Sequence, residues 1–92
     1  MPRMVSVEPA TGKSGDELVV TGENLESPNV AELYLTDGKN DLKVQMIGQT
    51  ATNIKFKIPT NAKTGRFALM VLIKQKGSDP KLIEQPVKVT VE

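Results

Sequence analysis

The stretch Asp37-Gly38-Lys39-Asn40-Asp41 carries residue types that could bind a metal, because carboxylate and amide oxygens are ligands that calcium prefers. Its spacing differs from that of an EF-hand loop, it has no closing glutamate, and a lysine stands at its centre. An Asp-Gly step between two apolar runs is also a strong signal for a hairpin turn. We therefore interpret the stretch as a solvent-exposed turn and predict no metal site.

The chain offers few residues for catalysis, since it contains no histidine and no cysteine. Their absence excludes Ser-His-Asp and Cys-His nucleophiles and the usual zinc ligand sets. Asp16 and Glu17 form a carboxylate pair, but without the aromatic platform that a glycoside-cleaving site needs. Gly12-Lys13-Ser14 has the form of the end of a phosphate loop, but no glycine precedes it by five residues. We predict that the protein is not an enzyme and needs no cofactor.

The charges of the chain are nearly balanced, with 12 basic and 11 acidic residues and a formal net charge of +1. Such a chain has no broad electrostatic field for a nucleic acid or an anionic membrane. Lys43, Lys55 and Lys57 could share an outer face and contact phosphates, but single lysines opposite a core face are ordinarily solvated. The longest apolar run, residues 67–73, is far shorter than the roughly 20 residues that cross a bilayer, so we expect no membrane insertion.

Apolar and polar residues alternate with a period of two along most of the chain, which is typical of half-buried strands. Seven short strands are predicted, at residues 5–7, 18–21, 30–35, 42–46, 54–58, 66–74 and 87–91. Turn-forming residues separate them, and Pro86 indicates an edge, a bulge or a strand start before the last strand. The pattern predicts an all-β fold, an antiparallel sandwich of two sheets around an aliphatic core.

Two stretches of the chain combine strands with proline and glycine in a characteristic order. Residues 5–25 contain a short strand, a proline, two spaced glycines, an alternating strand and then Gly-x-Asn at 22–24. Residues 54–59 form a strand that ends in proline, and residues 64–71 continue with Gly-x-Phe-x-Leu-x-Val. Together they resemble the immunoglobulin-like, plexin and transcription factor family, the IPT/TIG domains. The resemblance covers nearly the whole chain and implies an immunoglobulin-like, E-set-like sandwich without an active site, located at the cell surface or outside the cell.

Three residues of these stretches have an expected architectural role. Gly22 suits a strand-ending position that needs a positive φ or a close backbone approach, and Asn24 can bond the local backbone. Pro59 has no amide donor and should end strand pairing before the crossover to the next sheet.

The sixth predicted strand is apolar on both faces, unlike the others. In a sandwich one face of each strand packs inward, so Phe67, Leu69, Val71 and Ile73 should enter the core. Immunoglobulin topology places this strand between the third and the seventh, which brings the third strand beside the outward-facing residues. The candidate interaction face therefore consists of Tyr34, Ala68, Met70 and Leu72. Such a patch marks an interface, or else loops, a neighbouring domain or long side-chain stems cover it.

We expect a single IPT/TIG-like domain, residues 1–92, that belongs to a larger multidomain protein. Its predicted role is that of a non-catalytic structural or protein-interaction module, a spacer or docking domain of a cell-surface or secreted protein. The expected partner is another protein, a neighbouring domain of the same chain, or a second copy in a weak homodimer. One alternative is a carbohydrate-binding accessory domain with Tyr34 as a contact, which the scarcity of aromatic rings disfavours. The other is a nucleic-acid-associated dimerisation domain that uses the lysine face.

Overall fold

The computed structural model describes residues 2–27, 29–74 and 77–92, and these form strands joined by turns and loops. The strands are β1 (Arg3–Glu8), β2 (Thr11–Gly12), β3 (Glu17–Glu23), β4 (Glu32–Thr36), β5 (Asp41–Gln49), β6 (Asn53–Lys57), β7 (Gly65–Ile73) and β8 (Lys81–Val91). Among the described residues, no helix has the length and hydrophobicity that a membrane crossing requires. The prediction of an all-β fold is confirmed.

The strands form one hydrogen-bonded series in the order β1-β3-β6-β5-β4-β7-β8-β2, in which only the β2–β8 pair is parallel. Strand β5 connects the two layers, because residues 41–44 pair with β4 and residues 45–49 pair with β6. The first layer therefore contains β1, β3, β6 and the end of β5, and the second contains β4, β7, β8, β2 and the start of β5. Because β5 belongs to both layers, the predicted pair of separate sheets is replaced by one continuous series.

The core lies between these two layers and is aliphatic, with Phe56 as its largest fully buried side chain. In β6 the residues Ile54 and Phe56 are buried while Lys55 and Lys57 are exposed, as their alternation predicts. Each strand except β2 contributes to this core. Its buried apolar residues are Met4, Val7, Leu18, Val20, Leu25, Val30, Leu33, Leu35, Val44, Ile54, Phe56, Ile58, Phe67, Leu69, Val71, Ile73, Val87, Val89 and Val91.

The described residues form one strand more than the seven predicted. Strand β2 has only two residues, and it lies in the Gly-rich segment that the sequence indicates as a turn. Two residues are too few to show a period, so their pairing with Thr90 and Val91 could not be predicted. The last strand also begins earlier than expected, at Lys81 rather than at position 87.

Pro86 lies where the pairing of β7 with β8 is irregular. Ala68 pairs with Lys88 and Met70 pairs with Glu84, so two residues of β7 span four of β8. Of the three features that the proline left open, an edge, a bulge or a strand start, the structure shows a bulge, which accommodates a residue that cannot donate to the ladder.

The sequence left two roles open for Gly22, a positive φ or a close backbone approach, and the structure assigns them to different residues. A Cβ on Gly22 would lie 2.1 Å from the Arg3 carbonyl oxygen and 2.9 Å from the Met4 Cα, so this glycine permits the close approach of β1 to β3. The positive φ belongs instead to Asn24, at 57°. Asparagine tolerates that conformation better than most residues do.

Candidate functional site

The outer surface of the second layer brings the predicted interaction residues together. Tyr34 on β4 lies directly opposite Met70 on β7, and on the far side of β7 Leu72 lies opposite Leu82 of β8. Residues that oppose one another in an antiparallel pair project from the same face of a sheet. We call this surface, with Tyr34, Met70, Leu72 and Leu82 at its centre, the β4–β7–β8 face.

The central residues of the β4–β7–β8 face differ in exposure. Tyr34, Met70 and Leu72 are half-buried, whereas the Leu82 side chain is 49% exposed. Ala68 belongs to the same face but is only 5% exposed, so it offers almost no surface to a partner. Three of the four predicted residues thus form a common apolar surface, and the fourth lies beneath its edge.

Leu82 is the residue of this face that sequence reasoning missed. It lies in the part of β8 that precedes Pro86, where Lys81-Leu82-Ile83-Glu84 does not alternate between apolar and polar residues. The odd-numbered positions face inward from residue 83 to residue 91, so the alternation seen at 87–91 could have been extended back to residue 83. That extension would have placed Leu82 on the outer face. The sequence instead indicates a start of the last strand after Pro86, because proline normally ends or interrupts a strand.

The apolar centre is bounded by charged side chains on the β4 side. The Tyr34 hydroxyl donates a 2.5 Å hydrogen bond to Glu32 Oε1, and Lys43 Nζ donates a 3.1 Å bond to Glu32 Oε2. The Tyr34 bond, followed by that of Lys43, holds the pKa of Glu32 below its ordinary value. The same bond to Glu32 raises the pKa of Tyr34. The phenol hydroxyl is thus occupied within the chain, and the ring is left as apolar surface.

An open groove adjoins the face at the turn between β4 and β5. It has a volume of about 460 Å³ and is lined by Thr36, Asp37, Gly38, Arg66, Phe67, Ala68, Glu84 and Lys88. Both signs of charge line it. Its one carboxylate from the turn, Asp37, accepts hydrogen bonds of 2.8 and 2.7 Å from the backbone N–H groups of Lys39 and Asn40. Those two bonds lower the pKa of Asp37, the Asn40 bond more than the Lys39 bond.

The structure gives the turn at 37–41 the role of a hairpin connection between β4 and β5, as predicted. Within residues 2–27, 29–74 and 77–92, no group of three or more His, Cys, Asp or Glu side chains is placed to hold a metal ion.

The three lysines of the nucleic-acid alternative lie on strands of both layers, and Lys43 and Lys57 line one open groove beside β5. Lys55 and Lys57 project from β6 in the first layer, whereas Lys43 opposes Tyr34 in the second. Lys55 Nζ lies 3.2 Å from Glu17 Oε1, and Lys43 is paired with Glu32. Two of the three cations are therefore adjacent to a carboxylate of the same chain.

The order of strands, with β7 between β4 and β8 and β2 parallel to the end of β8, agrees with an immunoglobulin-like sandwich. The model of the IPT/TIG domain family matches residues 2–90. The chain belongs to the IPT/TIG family. No curated protein matches this TIG domain in sequence.

Several solved structures from Bacteroides resemble this TIG domain. A structural genomics protein of unknown function from Bacteroides thetaiotaomicron VPI-5482 has a TM-score of 0.77 and 19% identity, over 99% of this chain and 22% of its own. A candidate phosphatase of the same strain has a TM-score of 0.64 and 18% identity, over 99% of this chain and 18% of its own. The third is the SGBP-B protein of a Bacteroides ovatus mixed-linkage glucan utilization locus, in complex with a mixed-linkage heptasaccharide. It has a TM-score of 0.59 and 21% identity, over 96% of this chain and 23% of its own.

These likenesses establish the fold, because identities near 20% carry no shared site with them. The TIG domain spans only about a fifth of each of these chains. The same fold therefore occurs as a small part of a protein of unknown function, a candidate phosphatase and a protein of a glucan utilization locus.

Proposed function

We propose that this TIG domain is a non-catalytic interaction module that docks through its β4–β7–β8 face onto a protein partner or a neighbouring domain. The observation that carries the proposal is the second apolar stripe of β7. Leu69 and Val71 already fill the core on the inner side of that strand, while Met70 and Leu72 stand on the outer side next to Leu82. An outer sheet face is ordinarily polar, and a contiguous apolar patch on it marks an interaction surface.

The composition of the face supports the same role. Protein interfaces have an apolar centre, in which tyrosine and methionine are enriched, and a polar rim. Here Tyr34 and Met70 lie at the centre, and Glu32, Lys43 and Glu84 lie around them. The modest apolar area suits a contact that holds a domain in place within a larger assembly.

The similar structures support placing the module in a multidomain protein, because each is about five times as long as the matched region. We propose a cell-surface or secreted protein as its context, as the family resemblance implies. Neither histidine nor cysteine is available in the chain for catalysis. The proposal accordingly assigns no reaction to the domain.

Cysteine labelling tests this proposal, because the chain contains no cysteine of its own. Leu82 and Ile47 are matched positions, exposed by 49% and 46% on different strands. Single Leu82→Cys and Ile47→Cys variants should react with a water-soluble maleimide at similar rates in a dilute solution of the 92-residue chain. In the parent protein on its host cell, position 82 should react at least about tenfold more slowly, while position 47 keeps its rate. Equal rates at both positions in the parent protein would refute docking through this face.

Carbohydrate binding is a second candidate function, favoured by one observation. The similar Bacteroides ovatus structure is a complex with a mixed-linkage heptasaccharide. Sugar platforms are built from aromatic rings, and on this face Tyr34 is the ring available. Calorimetry with mixed-linkage glucan oligosaccharides decides between the candidates. Docking predicts no heat of binding, whereas a signal that Tyr34→Ala abolishes would favour the glycan role.

A further inference from the structure

We propose that the partner of the β4–β7–β8 face is a second copy of this chain, packed face to face about a two-fold axis. The axis runs parallel to the strands and lies between β4 and β7. The inference rests on the proposed docking function and names its occupant. It is carried by the arrangement of charges around the apolar centre.

The first row of residues across the face runs from β5 to β8. It consists of Lys43, Tyr34, Met70 and Glu84, each directly opposite the next in the register. A cation therefore stands at the β5 end of the row and a carboxylate at the β8 end, with the apolar pair between them. Lys43 and Glu84 are both exposed.

The second row lies two residues further along the strands and has the opposite polarity. It consists of Asp41, Thr36, Ala68 and Lys88, again in direct register. Here the carboxylate stands at the β5 end and the cation at the β8 end, and both are exposed.

Rotation about the proposed axis exchanges β5 with β8 and β4 with β7. Lys43 of one copy then faces Glu84 of the second copy, and Asp41 faces Lys88 of the second copy. The operation repeats each contact, so the dimer contains four contacts between opposite charges, two of each kind. A face with the same sign of charge at both ends of a row would repel its own copy, and this one does not.

The same rotation superposes the Tyr34–Met70 pairs of the two copies. Tyr34 lies over Met70 of the second copy, which is a favourable contact between an aromatic ring and a thioether. Leu72 lies over Glu32, whose carboxylate is already bound by Tyr34 and Lys43 of its own copy. No unpaired charge is therefore placed against the apolar residues.

The size of the face predicts a weak dimer. Strands about 4.8 Å apart and a rise of about 3.3 Å per residue give each copy a patch on the order of 300 to 400 Å². Stable protein interfaces bury roughly 1,200 to 2,000 Å² in total, about twice what two such patches provide. We expect a dissociation constant on the order of 0.1 to 1 mM, which matters where copies are concentrated on one surface.

Sedimentation velocity across concentrations that bracket this range tests the inference with two charge-reversal variants, Asp41→Lys and Lys88→Asp. Among the described residues the ion pairs are Lys43–Glu32 and Lys55–Glu17, so neither substitution breaks one. Each variant alone should dimerise about tenfold more weakly than the wild type, because like charges then meet twice. An equal mixture of the two should regain wild-type affinity, because each variant supplies the charge that the other needs. Arg3→Asp, at an exposed position of β1 on the far edge of the first layer, changes the net charge as Lys88→Asp does and should have no effect.

A two-fold axis perpendicular to the strands gives a different result, because it places Lys43 over Asp41 of the second copy. The mixture would then stay as weak as each variant, and the proposed packing would be wrong. A wild type that remains monomeric throughout would overturn the inference as a whole. The docking proposal would survive that outcome if position 82 is still protected in the parent protein, so the two failures are distinguishable.

Discussion

The side-chain Oε1 of Gln85 accepts a 2.8 Å hydrogen bond from the backbone N–H of Met4, 81 residues away. Both residues are buried, with 4% and 1% of their surface exposed. The bond joins β8 of the second layer to β1 of the first, where β1 has no strand beyond it. It satisfies an amide that neither water nor the β1–β3 ladder reaches on that side.

Replacement of Gln85 by leucine should destabilise the fold by about 1 to 3 kcal/mol, because the Met4 amide would remain buried without its acceptor. Urea unfolding measures this loss. Gln45→Leu, at an exposed position of β5, is the matched control and should change the free energy of unfolding much less. Equal losses for the two variants would show that the Gln85 bond contributes nothing specific.

Gly22→Ala should cost about 3 kcal/mol or separate β1 from β3, because the new Cβ would meet backbone atoms of Arg3 and Met4. Backbone atoms cannot rotate aside as a side chain can. Gly48→Ala is the control, since a Cβ there would find its nearest neighbour, Lys55 Cβ, at 3.9 Å. A thermal melt of both variants checks the prediction, and it fails if the two glycines tolerate alanine equally.

Asp37→Ala should open the turn between β4 and β5, because the carboxylate is the acceptor for two backbone N–H groups. Amide hydrogen exchange at Lys39 and Asn40 should become faster. Asp37→Asn retains an acceptor oxygen and should keep most of the protection. Unchanged exchange in the alanine variant would mean that the backbone bonds of the hairpin hold the turn without the side chain.

The strands were predictable wherever side chains alternate over five or more residues. The alternation of Ile54 and Phe56 with Lys55 and Lys57 suffices to assign a strand and its inner face. For Gly22 the sequence could not decide between a positive φ and a close backbone approach, because a close approach depends on which strand lies beside the glycine. Strand β2 was not predictable, since its two residues are ordered by pairing with the far end of the chain.

The candidate site was predictable in part for a related reason. Tyr34, Met70 and Leu72 follow from the apolar outer stripe and the immunoglobulin strand order. The position of Glu84 opposite Met70 and of Lys88 opposite Ala68 depends on the bulge at Pro86, which shifts the register of β8 by two residues. The charge pattern on which the homodimer rests could therefore be obtained only from the structure.

The bond between Tyr34 and Glu32 predicts a pH window for its own contribution to stability. The pKa of Glu32 is lowered from 4.5, so this contribution is present above 4.5 and is lost as the pH falls through the lowered value in the folded state. The pKa of Tyr34 is raised from 10.0, so the contribution is also present below 10.0 and is lost as the pH rises through the raised value. The bond therefore stabilises the fold between these limits and fades at both ends.

Tyr34→Phe removes the hydroxyl and keeps the ring, so its loss of stability relative to the wild type should follow this window. The urea midpoints of the two proteins should differ most near neutral pH and converge in strong acid and in strong alkali. The effect should be small, because Glu32 lies at the surface with its side chain partly exposed, and solvent screens its charge there. NMR titration provides the complementary measurement: in Tyr34→Phe the pKa of Glu32 should move up towards 4.5, while the bond from Lys43 keeps part of the depression. A difference in midpoint that is independent of pH would show that Tyr34 stabilises the face through its ring alone.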